Sequence, residues 1–94
     1  MSGMKVSVVI PCYNEEAVLP ELFRRVTAAA ETWGMPWEVI CVDDGSLDRT
    51  WPLLVAQQAR DARWRALSLA RNFGHQTAVS AGLYHAEGDA VIVM

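Results

Sequence analysis

Val39-Ile40-Cys41-Val42 runs directly into Asp43-Asp44-Gly45-Ser46. Four apolar residues, three of them β-branched, suit a strand covered on both faces, as in a parallel sheet. The Asp-Asp-Gly-Ser that follows breaks the strand with turn formers and leaves two carboxylates at its carboxyl end. Toward the N-terminus, Val6-Ser7-Val8-Val9-Ile10 has the same character, and Pro11 is expected to stop it. Toward the C-terminus, Trp64 to Leu69 and Ala90-Val91-Ile92-Val93-Met94 are two further runs of this kind.

Between these runs the apolar spacing changes to three and four residues, the period of a helix face. Val18, Leu19, Leu22, Phe23, Val26 and Ala30 form the first stripe, with Pro20 tolerable in an opening turn and Gly34 as the stop. Trp51, Leu54, Val55, Ala59 and Ala62 form the second; Asp48 is the expected N-cap, and Pro52 again belongs to the first turn. A third helix spans about Gln76 to Ala86, with Ala78, Val79, Gly82, Leu83 and Ala86 on one face and Gly88 as its C-terminal cap. Its small residues suit close approach to a sheet. The order is therefore βαβαβαβ, an α/β fold with a parallel sheet and right-handed crossovers.

Composition narrows the function. The 94 residues are one small domain or a piece of one, and a hydrophobic fraction of 52% excludes a disordered tail. Eight Lys and Arg against 11 Asp and Glu give a net charge of −3, with no basic run, so a nucleic-acid partner is not expected. The four tryptophans flank helices and strands and read as packing anchors, not as a stacking ladder. No apolar run reaches the ~20 residues of a membrane span. Cys12 and Cys41 lack metal-site spacing and read as buried thiols in a reducing, cytoplasmic setting. The final apolar run has no element after it, so the sequence reads as the N-terminal part of a longer domain, truncated after its fourth strand.

In open parallel sheets, ligands bind beyond the carboxyl ends of the strands. Three polar clusters fall there: Pro11-Cys12-Tyr13-Asn14-Glu15-Glu16, Asp43-Asp44-Gly45-Ser46 and Arg71-Asn72-Phe73-Gly74-His75. Carboxylates and amides suit base and ribose edges, Arg71 suits phosphate, and Tyr13 offers an aromatic wall. Neither GxGxxG nor GxxxxGK[ST] is present, so a nucleotide here lacks a glycine phosphate cradle and would need a metal for its diphosphate.

VSVVIPCYNEE, VICVDDGSLDRT and LSLARNFGHQTAVSAGL, in this order and spacing, resemble the first three motif blocks of the family 2 inverting glycosyltransferases. The last block is most similar to the polyprenyl-phosphate branch, the dolichol-phosphate mannose synthases and undecaprenyl-phosphate sugar transferases. The resemblance implies the Rossmann-like GT-A fold with strand order 3-2-1-4 and residues 1–94 as the nucleotide-binding part of that domain. It implies a nucleoside pocket lined by Pro11, Tyr13, Asn14 and Glu15, with Asp43 accepting from a base N–H and Asp44 and Gly45 shaping the turn beneath it. Arg71 and Asn72 would sit near diphosphate or ribose. The implied donor is a UDP-, GDP- or dTDP-sugar and the acceptor a polyprenyl phosphate at the cytoplasmic face of a membrane. A divalent cation, Mg²⁺ or Mn²⁺, would be held by an Asp-x-Asp motif after the fourth strand; no catalytic residue and no metal ligand is expected within these 94 residues.

Plain structural readings stand beside these. Asp43 and Asp44 also suit a charged strand-to-helix turn, Glu15 and Glu16 favour a helix start through the macrodipole, Arg71 a solvated loop, and His75 and His85 helix ends. A receiver-type signalling module fits poorly, because its acidic pair follows the first strand and here the pair follows the second. A non-catalytic, oligomerising α/β fragment is the remaining alternative. Under the family topology too, the unguarded run Val91-Ile92-Val93 is expected to pair with a second copy through the fourth strand.

Overall fold

The computed structural model describes residues 4–94. The elements alternate as expected: β1 (Val6–Cys12), α1 (Leu19–Ala30), β2 (Trp37–Asp43), α2 (Thr50–Arg60), β3 (Trp64–Ser68), α3 (His75–His85) and β4 (Ala90–Val93). The four strands form one parallel sheet in the order β3-β2-β1-β4, which puts β1 and β2 in the middle. Every residue of β2 is buried, as its unbroken apolar run requires.

Side-chain alternation divides the core into two layers. Val6, Val8, Ile10 and Cys12 of β1 join Val39 and Cys41 of β2 under α1 and α2, with Phe23 edge-on to Trp64 at 5.2 Å. On the opposite face Ile40 and Val42 pack against Ala78 of α3, and Gly82 lies buried beside them. Burying a Val, Leu or Ile side chain contributes about 1.5–3 kcal/mol, so the doubly covered β1–β2 pair is the anchor of the fold.

Several local expectations are corrected. Pro11 does not stop β1, which continues to Cys12 with Pro11 opposite Val42. In a parallel strand the odd residues of β1 turn their backbone groups toward β4, as the Met94 N–H to Val9 carbonyl bond shows. Pro11, an odd residue, therefore turns its nitrogen away from β2, and the β1–β2 ladder loses no donor to it. Helix α1 ends at Ala30 with Glu31 as its C-cap, and Gly34 lies beyond it in the turn to β2. Val18, the N-cap residue, is 54% exposed instead of lying on the buried stripe.

In α2 the buried face is Thr50, Leu54 and Gln57, while Val55, Ala59 and Ala62 are exposed. The helix is rotated because the hydroxyl of Thr50 and the body of Gln57 are drawn inward. Its N-cap is Arg49, one residue after the expected Asp48, although the Asp48 carboxylate does accept the Thr50 N–H at 2.9 Å. Leu83 of α3 is also exposed. Gly88 is not a helix cap: Ala86 is, and Gly88 instead presses against β1, where an added Cβ would stand 2.5 Å from Ser7 Oγ.

That contact belongs to a buried polar cluster at the amino ends of the strands. Glu38 Oε2 accepts from the Ser7 hydroxyl at 2.6 Å and the Glu87 N–H at 2.7 Å, and Oε1 accepts from Arg65 at 3.1 Å. Desolvation opposes its charge, but hydrogen bonds from Ser7, Glu87 and Arg65, with the nearby Lys5 ammonium, outweigh it and hold the carboxyl below its ordinary value. The cluster fastens the α3–β4 turn to the central strands.

Candidate functional site

Three connections leave the carboxyl edge of the sheet side by side: residues 13–18 after β1, 44–49 after β2 and 69–74 after β3. Between them opens a cleft of about 300 Å³ lined by Pro11, Cys12, Tyr13, Glu15, Asp44, Asn72, Gly74 and His75. Five expected site residues are therefore together in one cleft: Pro11, Tyr13, Glu15, Asp44 and Asn72. Asn14, Asp43, Gly45 and Arg71 are not among its lining residues.

Asp43 ends β2 and is buried, 3% exposed. Its Oδ1 accepts the Ser46 N–H at 3.1 Å, and Oδ2 makes no hydrogen bond among the described residues. Asp44 is committed on both sides, since Oδ1 accepts the Phe73 N–H at 2.8 Å and Oδ2 the Gly74 N–H at 3.1 Å. It therefore ties the third loop to the end of β2. Gly45 allows that tie: at φ 75° it lies so close to the third loop that no side chain fits. Arg71 is exposed and stacks its guanidinium over Phe73 at 4.6 Å, which leaves its N–H edge turned to solvent for an anionic group.

Asn14 adopts φ 52°, a left-handed conformation that Asn tolerates better than most side chains. Its Oδ1 accepts the Leu47 N–H at 2.8 Å and its own N–H donates to Ser46 Oγ at 2.9 Å. Asp48 accepts from the Thr50 N–H and, at 3.2 Å, from the Glu16 N–H. Partial desolvation opposes the charge of Asp48, but these bonds and that of the Thr50 hydroxyl prevail and lower its pKa from the ordinary Asp value.

Cys12, Gly74 and His75, members of the polar strand-end clusters without an expected role in the nucleoside pocket, also line the cleft. His75 opens α3 and faces the cleft with an exposed imidazole, and its place directly after Gly74 at a strand-to-helix junction was the available signal. Both cysteines are free and buried, and the adjacent Cys12 thiol and burial push Cys41 up, which keeps Cys41 protonated. Among the described residues no group of three His, Cys, Asp or Glu is placed to hold a metal ion. No helix of the described residues is long and apolar enough to cross a membrane.

The profile of glycosyl transferase family 2 matches residues 7–94. The chain belongs to that family. This family 2 chain is 48% identical over 91 residues to the undecaprenyl-phosphate 4-deoxy-4-formamido-L-arabinose transferase of Salmonella paratyphi A, an alignment covering 96% of the chain and 28% of that protein. The chain thus spans under a third of the length of such relatives. Among solved structures it superposes on S. aureus TarS 1-349 in complex with UDP, with TM-score 0.77, 29% identity, and coverage of 97% of this chain and 27% of that 1-349 chain. It also shares its fold with the mannosyltransferase PcManGT of Pyrobaculum calidifontis in complex with GDP-Man and Mn²⁺, at TM-score 0.73 and 22% identity over 96% of this chain and 28% of that one. The 3-2-1-4 sheet is accordingly the Rossmann-like sheet of a GT-A fold.

Proposed function

We propose that this family 2 chain carries the donor-nucleoside site of a nucleotide-sugar-dependent transferase that passes its sugar, with inversion, to a polyprenyl phosphate. The observation that supports this most is the cleft at the carboxyl edge of β1 and β2, which gathers an aromatic ring, a carboxylate, an amide and an imidazole from loops sixty residues apart in sequence. The TarS complex with UDP and the undecaprenyl-phosphate relative support the donor and acceptor classes. In this reading Tyr13 stacks on the base, Glu15 and Asn72 meet ribose hydroxyls, and Arg71 meets the diphosphate. Asp43 accepts from a base N–H through Oδ2. Asp44 and Gly45 act on the loop and not on the ligand. Transfer to a lipid acceptor places the whole protein at the cytoplasmic face of a membrane.

A divalent cation would neutralise the departing nucleoside diphosphate in such chemistry. The residues described do not fit one: three of the four carboxylate oxygens of Asp43 and Asp44 are engaged by backbone N–H groups.

Calorimetry with UDP, GDP and dTDP tests the reading. One of the three should bind, and Asp43→Ala should weaken it about tenfold, the equivalent of one charge-assisted hydrogen bond. Absence of binding by all three would overturn the function, whereas equal affinity of wild type and Asp43→Ala would remove only Asp43 from the site.

For the 94-residue chain by itself, we also propose self-association through β4. Its outer edge has no strand partner among the described residues, and Val91, Ile92 and Val93 are each more than 40% exposed. An apolar hollow of about 330 Å³ beside them is lined in part by Val8, Leu22, Val26 and Ile92.

A further inference from the structure

Five hydrogen bonds join the loop after β1 to the loop after β2. Besides the two made by Asn14, the Glu15 N–H donates to Thr50 Oγ1 at 2.7 Å, the Glu16 N–H to Asp48 Oδ2 at 3.2 Å, and the Arg49 N–H to Glu16 Oε1 at 3.1 Å. The bonds run in both directions, so each loop satisfies backbone donors of the other. Thr50 is fully buried at the base of this seam, while Leu47 at its tip is 88% exposed. A six-residue loop with so exposed a tip has little packing of its own, and cross-loop bonds must supply its order.

We propose that Asn14 is a positioning residue: it holds the Ser46–Asp48 lip against the loop that carries Tyr13 and Glu15, and it does not itself touch the nucleotide. This rests on the nucleotide reading above for its consequence, and on geometry alone for the clamp. The side-chain oxygen of Asn14 is occupied by the Leu47 N–H and its backbone N–H by Ser46. Its left-handed backbone turns the chain so that both bonds form at once. Ser46, in turn, donates its own N–H to Asp43, so the position of the lip is passed to the carboxylate proposed to accept from the base N–H. A cleft wall held before the ligand arrives spares the ordering cost on binding.

Two substitutions separate positioning from contact. Asn14→Asp keeps an acceptor at Oδ1 and tolerance of positive φ, but removes the amide donors that a ligand contact would use. Asn14→Gly keeps the backbone conformation and loses the acceptor. In the 94-residue chain without nucleotide, Asn14→Gly should speed amide exchange at Leu47 about fivefold, the loss expected for one hydrogen bond. Asn14→Asp should leave it near wild type. UDP affinity should fall roughly three- to tenfold in Asn14→Gly and be rescued in Asn14→Asp. Unchanged Leu47 exchange in Asn14→Gly overturns the clamp whatever the nucleotide result. Loss of affinity in Asn14→Asp as large as in Asn14→Gly makes Asn14 a ligand contact and overturns the proposal too. If the wild type binds no nucleotide while Leu47 exchange responds as expected, the clamp is supported and the nucleotide reading is the part that falls.

Discussion

A Cβ on Gly45 would stand 2.5 Å from the carbonyl carbon of Arg71 and equally close to the amide nitrogen of Asn72. The turn after β2 and the loop before α3 are therefore in backbone contact at a position where only glycine fits. Next to it, Asp44 fastens the same loop through the Phe73 and Gly74 N–H groups. One wall of the cleft is thus built by a missing side chain and its neighbouring carboxylate.

Gly45→Ala should be among the most damaging small substitutions in the chain. It places a side chain at φ 75° and against backbone that cannot rotate away. Left-handed strain alone costs about 1–3 kcal/mol, and the displaced loop adds to it. A fall in Tm of about 10 °C is expected at this size. An unchanged melting temperature would mean that the two loops do not touch in solution.

Asp44→Ala should separate two roles that the sequence leaves joined. Removing the carboxylate strands two backbone donors, a loss of about 2–3 kcal/mol. Amide exchange at Phe73 and Gly74 should accelerate, whereas Asp43→Ala should leave those two amides protected. Protection of both amides in Asp44→Ala would show that the carboxylate is free for a ligand.

Acid should act through Glu38. Its carboxyl is held below the ordinary value of 4.5, so the folded state binds its proton less readily than the unfolded chain. The stabilisation is complete above that ordinary value and is lost as pH falls through the lower, folded-state value. Urea midpoints measured from pH 7 downward should therefore fall below about pH 4.5, and Glu38→Gln should be weaker at neutral pH but show a shallower acid decline. Parallel curves for the two proteins would place the acid sensitivity elsewhere.

The β4 edge can be read by sedimentation. The wild-type chain should associate at high micromolar concentration, and Val91→Lys should shift it toward monomer, because a lysine on an edge strand opposes pairing. A wild-type chain that sediments as a monomer would end the self-association proposal.

The sequence by itself determined the alternation of strands and helices, because short unbroken apolar runs and a helical period of three to four residues are local properties that survive without tertiary context. The uninterrupted apolar run of Val39 to Val42 required cover on both faces, and the order of three motif blocks carried the family and with it the strand order. Tertiary structure decided what lay between distant positions. Pro11 stays in β1 because its nitrogen turns away from β2, and Gly88 is glycine because Ser7 approaches it from the other end of the chain. Thr50 and Gln57 turned inward against the apolar stripe of Trp51 and Val55 through packing that no helical period encodes. The hydrogen bonds of Asp44 and Asn14 were hidden for the same reason. Their partners Phe73, Gly74, Ser46 and Leu47 lie about thirty residues away, and a hydrogen bond across that distance exists only once the sheet has brought the loop ends together.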